Sequence, residues 1–211
     1  MTSRRHIAAL AAAALLMAAP ETARAGDHPH DRNGFLLGFN LGGGSAEVEW
    51  ETEDATLSSD RESGGAGNLR LGYAVSPAVA LGLEVAGWSR TYDVVGPLGG
   101  SSEVTVTFGI VGGAATWYPG RGGFFVRGAV GAGRIEVDVE SGDVTVTADE
   151  TGIGLLAATG YEWRLSRVFA LGAELDLGHV NAGEVEGAAG DSGDLTANFA
   201  NLTAALNFYF D

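Results

Sequence analysis

Five ionisable side chains stand where alternating strands would turn them to one face: Arg70, Glu84, Arg127, Glu174 and Asp176. Guanidinium and carboxylate groups gathered this way can neutralise one another as a buried ion-pair cluster. They can also line a narrow path that passes cations, and both uses stay open at this point. A two-residue hairpin centred on Pro77 sets Arg70 directly opposite Glu84, and the period-two alternation of strands gives both the same inward parity. Arg127 and Glu174 lie at comparable heights above the turns that precede their segments. Asp176 lies slightly higher, with Asn40 and Asn68 nearby.

Other chemistry-bearing residues are sparser. His179-Val180-Asn181-Ala182-Gly183-Glu184 contains a histidine but no adjacent serine for it to activate, and Ser192 lies in the last long connection. A histidine at the edge of an apolar belt is the plainer reading. His28 and His30, flanked by Asp27 and Asp31, form a short metal-capable run that reads as a solvated tail. The acidic connections carry no D-x-D-x-D-G spacing, so divalent cations are expected to bind there only diffusely, with no resident metal or cofactor. Arg90 and Arg134 near the outer rim could meet anionic phosphates.

The segments that must position these groups read as strands over 35–49, 64–74, 79–92, 103–118, 124–138, 147–163, 168–181 and 195–210. Alternation is clearest at Phe35, Leu37, Phe39 and Leu41, and at Val104, Val106, Phe108 and Ile110. Most of the intervening positions are glycine, alanine, threonine or charged, which suits a narrow interior rather than a solvated face. Ser76-Pro77, Pro119–Gly123 and Arg164–Arg167 read as short turns. The connections 50–63, 93–102, 139–146 and 182–194 read as long acidic loops. Aromatics cluster beside the short turns and chain ends: Phe35, Tyr73, Trp117, Tyr118, Phe124, Phe125, Tyr161, Trp163, Phe169, Phe208, Tyr209 and Phe210. They read as a girdle at one rim, with Trp50, Trp88 and Tyr92 as a sparser belt at the other. Trp88 requires a bulge at Gly87 to reach that belt, because strict alternation from Leu83 points it inward.

Residues 1–25 read as a cleaved signal peptide: Arg4 and Arg5, an apolar run from Ile7 to Ala19, and Ala23-Arg24-Ala25. That run falls short of the ~17 residues of a membrane-spanning helix. Residues 26–34 are then a short periplasmic tail and 35–211 the folded domain. The chain has no cysteine, 34 glycines and a formal charge of −15, and all its basic residues are arginine. That charge disfavours nucleic acid as a partner. No apolar run is long enough for a spanning helix, so a membrane form must be a closed barrel.

Strand number, loop asymmetry and the terminal Leu206, Phe208, Phe210 alternation together resemble the small eight-stranded outer-membrane barrels. That superfamily contains the OmpA transmembrane domain, OmpX, OmpW and the opacity-type surface proteins. The resemblance covers 35–210 and implies an eight-stranded antiparallel up-and-down transmembrane β-barrel in a Gram-negative outer membrane. It implies contact with outer-membrane lipid and lipopolysaccharide, insertion by the barrel-assembly machinery and an internal salt-bridge cluster. One departure is Asp211 after the terminal aromatic. The expected protein is monomeric and non-enzymatic, with its lumen plugged by the Arg/carboxylate network and its acidic loops serving envelope integrity or surface interaction. The alternative is an OmpW-like channel for small hydrophobic or cationic solutes. A third reading, a lipid A deacylase, rests on the loose similarity around His179. With Phe210 almost at the end, no peptidoglycan-binding domain is expected to follow, and the segment before Phe35 is too short for the amphipathic helix of palmitoyltransferase barrels.

Overall fold

The computed structural model describes residues 32, 34–52, 56–95, 101–120, 122–142, 144–186 and 192–210. The expected signal peptide and the His28/His30 run lie outside the described residues. The described chain forms nine strands: β1 (Gly34–Glu51), β2 (Thr56–Ser58), β3 (Glu62–Ser76), β4 (Val79–Val95), β5 (Ser101–Trp117), β6 (Phe124–Ser141), β7 (Val144–Arg164), β8 (Phe169–Glu186) and β9 (Ser192–Phe210). Every sequential pair from β3 to β9 is antiparallel, β1 pairs with β3, and β1 against β9 closes the sheet. β2 is a three-residue flap on the outer end of β1. Eight staves therefore form a closed up-and-down barrel, which leaves no sheet edge at membrane depth.

The outward face sorts by height. From the short-turn end it runs through the aromatics, then an apolar belt that ends at Leu41, Val85, Val111, Ile153, Leu177 and Ala200. A polar collar follows: Ser45, Ser89, Thr107, Thr151, His179 and Asn198. Belt residues such as Leu41 (76 % exposed) and Leu83 (64 %) would be a liability in water and are what a lipid-facing wall requires.

The staves run 15–21 residues, well beyond the ~9–11 needed to cross a bilayer with tilt. Their surplus stands above the collar. The described residues of the stretches expected as long loops are thus largely strand, and β6 and β7 meet in a tight hairpin with Gly142 at φ +60°. The reason is local: Val137, Val139, Val144, Thr145, Val146 and Thr147 are β-branched and pair across that hairpin. The outer extension is also divided. β3 stops pairing with β4 beyond Gly65–Ser89, and β7 stops pairing with β8 beyond Ile153–Asn181. Two walls result: β4–β5–β6–β7 on one side and β8–β9–β1 on the other.

No bulge occurs at Gly87, whose register with Gly67 and Gly109 is unbroken. Trp88 therefore points inward, buried, and stacks on Phe108 with centroids 5.3 Å apart and planes 11° from parallel. Its space is made by Gly64, where any Cβ would strike the indole ring. Trp50 and Tyr92 share the inward parity of their strands, so the expected outer aromatic belt does not form from these three. At the opposite rim Phe35, Tyr73, Trp117, Phe124, Tyr161, Trp163, Phe169, Phe208 and Phe210 share the outward parity. Phe35–Tyr73, Tyr161–Trp163 and Phe169–Phe208 make edge or tilted contacts. Tyr118, Phe125 and Tyr209 do not join them. Each follows or precedes an outward aromatic directly, so alternation sends it into the lumen, where all three are buried.

Candidate functional site in the lumen and at its outer mouth

The inner half of the lumen is filled in two ionic layers. In the central layer Arg127, from β6, reaches three carboxylates. Its Nε lies 2.8 Å from Glu84 Oε2, Nη1 donates to Glu174 Oε2 at 3.0 Å, and Nη2 meets Glu174 Oε1 and, at 3.3 Å, Asp176 Oδ1. Arg70 Nη1 stands 3.4 Å from Glu174 Oε2, and its Nη2 donates to Asn40 Oδ1 at 3.1 Å and Asn207 Oδ1 at 3.0 Å. Asn68 Nδ2 donates to Asp176 Oδ2 at 3.1 Å. Arg70 and Glu84 are cross-strand neighbours as the hairpin at Pro77 dictates. Their ionic partners are nevertheless on other strands: Glu84 with Arg127, Arg70 with Glu174. Long side chains in a narrow barrel reach across the lumen more readily than along one wall, so register alone does not assign the pairs.

The second layer closes the short-turn end, and most of it escaped the sequence reading. Arg32, from the segment before β1, is 1 % exposed. It donates from Nε (2.9 Å) and Nη2 (2.6 Å) to Glu162 Oε1 and from Nη2 to the Gly122 carbonyl at 3.2 Å, with its guanidinium 3.5 Å from the Tyr118 ring centroid. Tyr209 Oη donates to Glu162 Oε2 at 2.6 Å, and Arg164 lies 3.8 Å over the Tyr209 ring. Asn207 joins the layers, accepting from Arg70 and donating to Glu162 Oε2 at 3.2 Å. Glu162 and Arg164 were legible in principle, since Tyr161 and Trp163 face outward and their neighbours must face in. Arg32 carried no such signal, because a residue outside the strands has no parity.

The layers balance. Four buried guanidiniums (Arg32, Arg70, Arg127, Arg164) face four buried carboxylates (Glu84, Glu162, Glu174, Asp176). Above them the lumen turns apolar. Ala46, Ala86, Trp88, Phe108, Ile110, Ala129, Ile135, Leu156, Val180, Ala197 and Phe199 pack into one buried cluster. Over this cluster, in the gap between the outer ends of β3 and β4, opens a pocket of about 450 Å³ lined by residues that include Val48, Trp88, Tyr92, Val106, Phe108 and Val137.

The outer rim is charged but exposed. Arg61 donates to Glu47 from Nη2 at 3.0 Å, Arg90 pairs with Glu62, and Arg134 pairs with Glu136 and lies 3.4 Å from Asp149. Arg90 and Arg134 thus already have carboxylate partners. Two ladders place like charges in direct cross-strand register: Asp93, Glu103 and Glu140 across β4–β5–β6, and Glu51, Asp194 and Glu184 across β1–β9–β8. Among the described residues no group of three His, Cys, Asp or Glu has metal-holding geometry. His179 is half-buried on the outward face, its Nδ1 2.8 Å from Asn198 Oδ1. Ser192 opens β9 six register steps beyond that contact, among the acidic outer ends.

A family model described as outer membrane protein beta-barrel domain matches residues 8–208. No curated protein sequence matches the chain. Two examples show the likeness of fold to solved structures. One is Ail, the attachment invasion locus protein of Yersinia pestis, in complex with the heparin analogue sucrose octasulfate. Its TM-score is 0.52 at 14% identity, and the match covers 83% of this chain and 99% of that one. The other is Neisserial surface protein A, with a TM-score of 0.51 at 12% identity, covering 83% and 97%. On the family match and the closed eight-stave architecture, this chain belongs to the outer membrane β-barrel family and resides in a Gram-negative outer membrane.

Proposed function

We propose that this protein is a non-conducting, non-enzymatic barrel that acts through its outer face, in envelope integrity or in surface interaction. The observation that carries the reading is the lumen itself. Two ionic layers, balanced only when taken together, and an apolar layer are stacked along its axis, and the side chains that compose them are nine-tenths or more buried. An eight-stranded barrel is just wide enough for side chains to fill it. Charges at that depth persist when paired, as these are. The half-buried His179, hydrogen-bonded to Asn198 rather than to a serine, supports a non-catalytic role for that histidine.

The acidic ladders suggest what the outer face meets. Like charges directly opposite on adjacent strands destabilise the sheet, and divalent cations shared with lipopolysaccharide phosphates would relieve that repulsion. Ail was crystallised with a sulfated sugar; the acidic rim here opposes so anionic a ligand unless a cation intervenes. The protein is proposed to work as a monomer, delivered by the barrel-assembly machinery. Swelling of proteoliposomes in small sugars and amino acids tests the closed lumen. Swelling rates equal to protein-free vesicles support it, and rates that rise with protein content contradict it.

The second reading, a conduit for small hydrophobic or cationic solutes, is favoured by the outer pocket alone. The layers beneath that pocket argue against passage.

A further inference from the structure

We infer that the pocket between the outer ends of β3 and β4 is a binding site for a small organic cation with an aromatic or branched apolar body. Its size, about 450 Å³, falls within the ~300–1,000 Å³ of small-molecule sites. Its walls and floor are apolar: Val48, Val106 and Val137 at the sides, with the stacked rings of Trp88 and Phe108 below. That floor belongs to the buried cluster that fills the lumen, so the pocket is closed below.

The charge of the lining selects the ligand. Three carboxylates contribute to it: Glu47, Asp60 and Glu62. Glu47 is matched by Arg61 and Glu62 by Arg90, so Asp60 leaves the pocket net negative. Tyr92, among the lining residues, supplies an aromatic face, which attracts a desolvated cation through its quadrupole. The pocket exists because backbone pairing between β3 and β4 stops at Gly65–Ser89. Above that point the Arg90–Glu62 ion pair, rather than a hydrogen-bonded ladder, spans the gap. An anion would meet net repulsion, and a neutral apolar molecule would leave the net negative charge at Asp60 uncompensated.

The test uses the folded barrel in lipid nanodiscs and equilibrium dialysis against benzyltrimethylammonium, with empty nanodiscs as the reference. The neutral isostere neopentylbenzene and the anion benzenesulfonate serve as controls. Saturable binding of the cation to one site is expected, with the neutral isostere about tenfold weaker and the anion unbound. Val137→Trp, which fills the pocket, should abolish binding. The paired exposed change Asp60→Asn with Glu62→Gln should weaken the cation about tenfold and leave the isostere unchanged. That paired variant decides the matter if Val137→Trp fails to give the heat-shifted folded band. Absence of saturable binding, or binding that survives both changes, overturns the site. Equal affinity for cation and isostere overturns its charge selectivity. Solute flux through the barrel is measured separately, so a leaky lumen and an empty pocket are distinguishable.

Discussion

The central lumen and the outer rim use the same chemistry, arginine against carboxylate, in opposite surroundings. Arg127 and Glu174 have fully buried side chains. The side chains of Arg61 and Glu47 are 45% and 31% exposed. Inside, each charge has lost its water and is held only by its partners, so deleting one strands the others at low dielectric. Outside, water and salt screen each pair, and losing it costs little. Density of charge therefore says little about importance; depth decides. Substitutions at the rim should therefore leave the barrel folded, as the proposed role of that surface requires, whereas those in the lumen should not.

The largest break in that comparison is expected from Arg127→Ala. It leaves Glu84, Glu174 and Asp176 sharing a single remaining guanidinium, Arg70, and should destabilise the barrel by about 3–5 kcal/mol, read from urea unfolding in vesicles. Arg70→Ala should follow at about 3 kcal/mol, since Arg70 makes one longer ionic contact and two amide hydrogen bonds. A melting profile unchanged by either substitution would contradict the structural role of the layer. Arg32→Ala tests the short-turn end. It removes the charge-assisted bonds to Glu162, and a loss of about 1–3 kcal/mol is expected. The smallest effect belongs to the rim. Arg61→Ala should cost about 0–1 kcal/mol, and that difference should shrink further in high salt while the Arg127 effect persists. A rim effect as large as the lumen effect would erase the distinction. Millimolar Mg²⁺ should slow proteolysis of the outer β6–β7 hairpin by relieving the Asp93–Glu103–Glu140 repulsion, with no change at the short-turn end.

What the sequence made legible is what obeys period two. Leu37 and Leu41 alternate cleanly and face lipid, and parity turned Arg70, Glu84, Arg127, Glu174 and Asp176 inward. Val104, Val106, Phe108 and Ile110 alternate as cleanly but have the inward parity, and Phe108 and Ile110 are buried in the lumen cluster. Errors arose where composition was allowed to override parity. Composition alone puts Tyr118 with Trp117 in the girdle and asks for a bulge at Gly87 to carry Trp88 outward. In both cases the side chain follows its strand into the lumen, where Gly64 makes the room that Trp88 needs. Loop boundaries failed for another reason: Glu, Asp and Gly mark loops only on average, and β-branched partners across the β6–β7 hairpin keep pairing well beyond the membrane. Arg32 and the assignment of ionic partners were illegible, because both depend on reach across the lumen rather than on spacing along the chain.

The most direct test is planar-bilayer recording of the refolded barrel, after its folded band has been seen to shift on heating, beside the Arg127→Ala variant. A closed lumen predicts silence from the native protein and brief, cation-preferring openings once Arg127 is gone and three carboxylates are left underpaired. Discrete, reproducible openings from the native protein, altered in size or selectivity by Arg70 or Glu84 variants, would contradict the plug and make the same residues a filter.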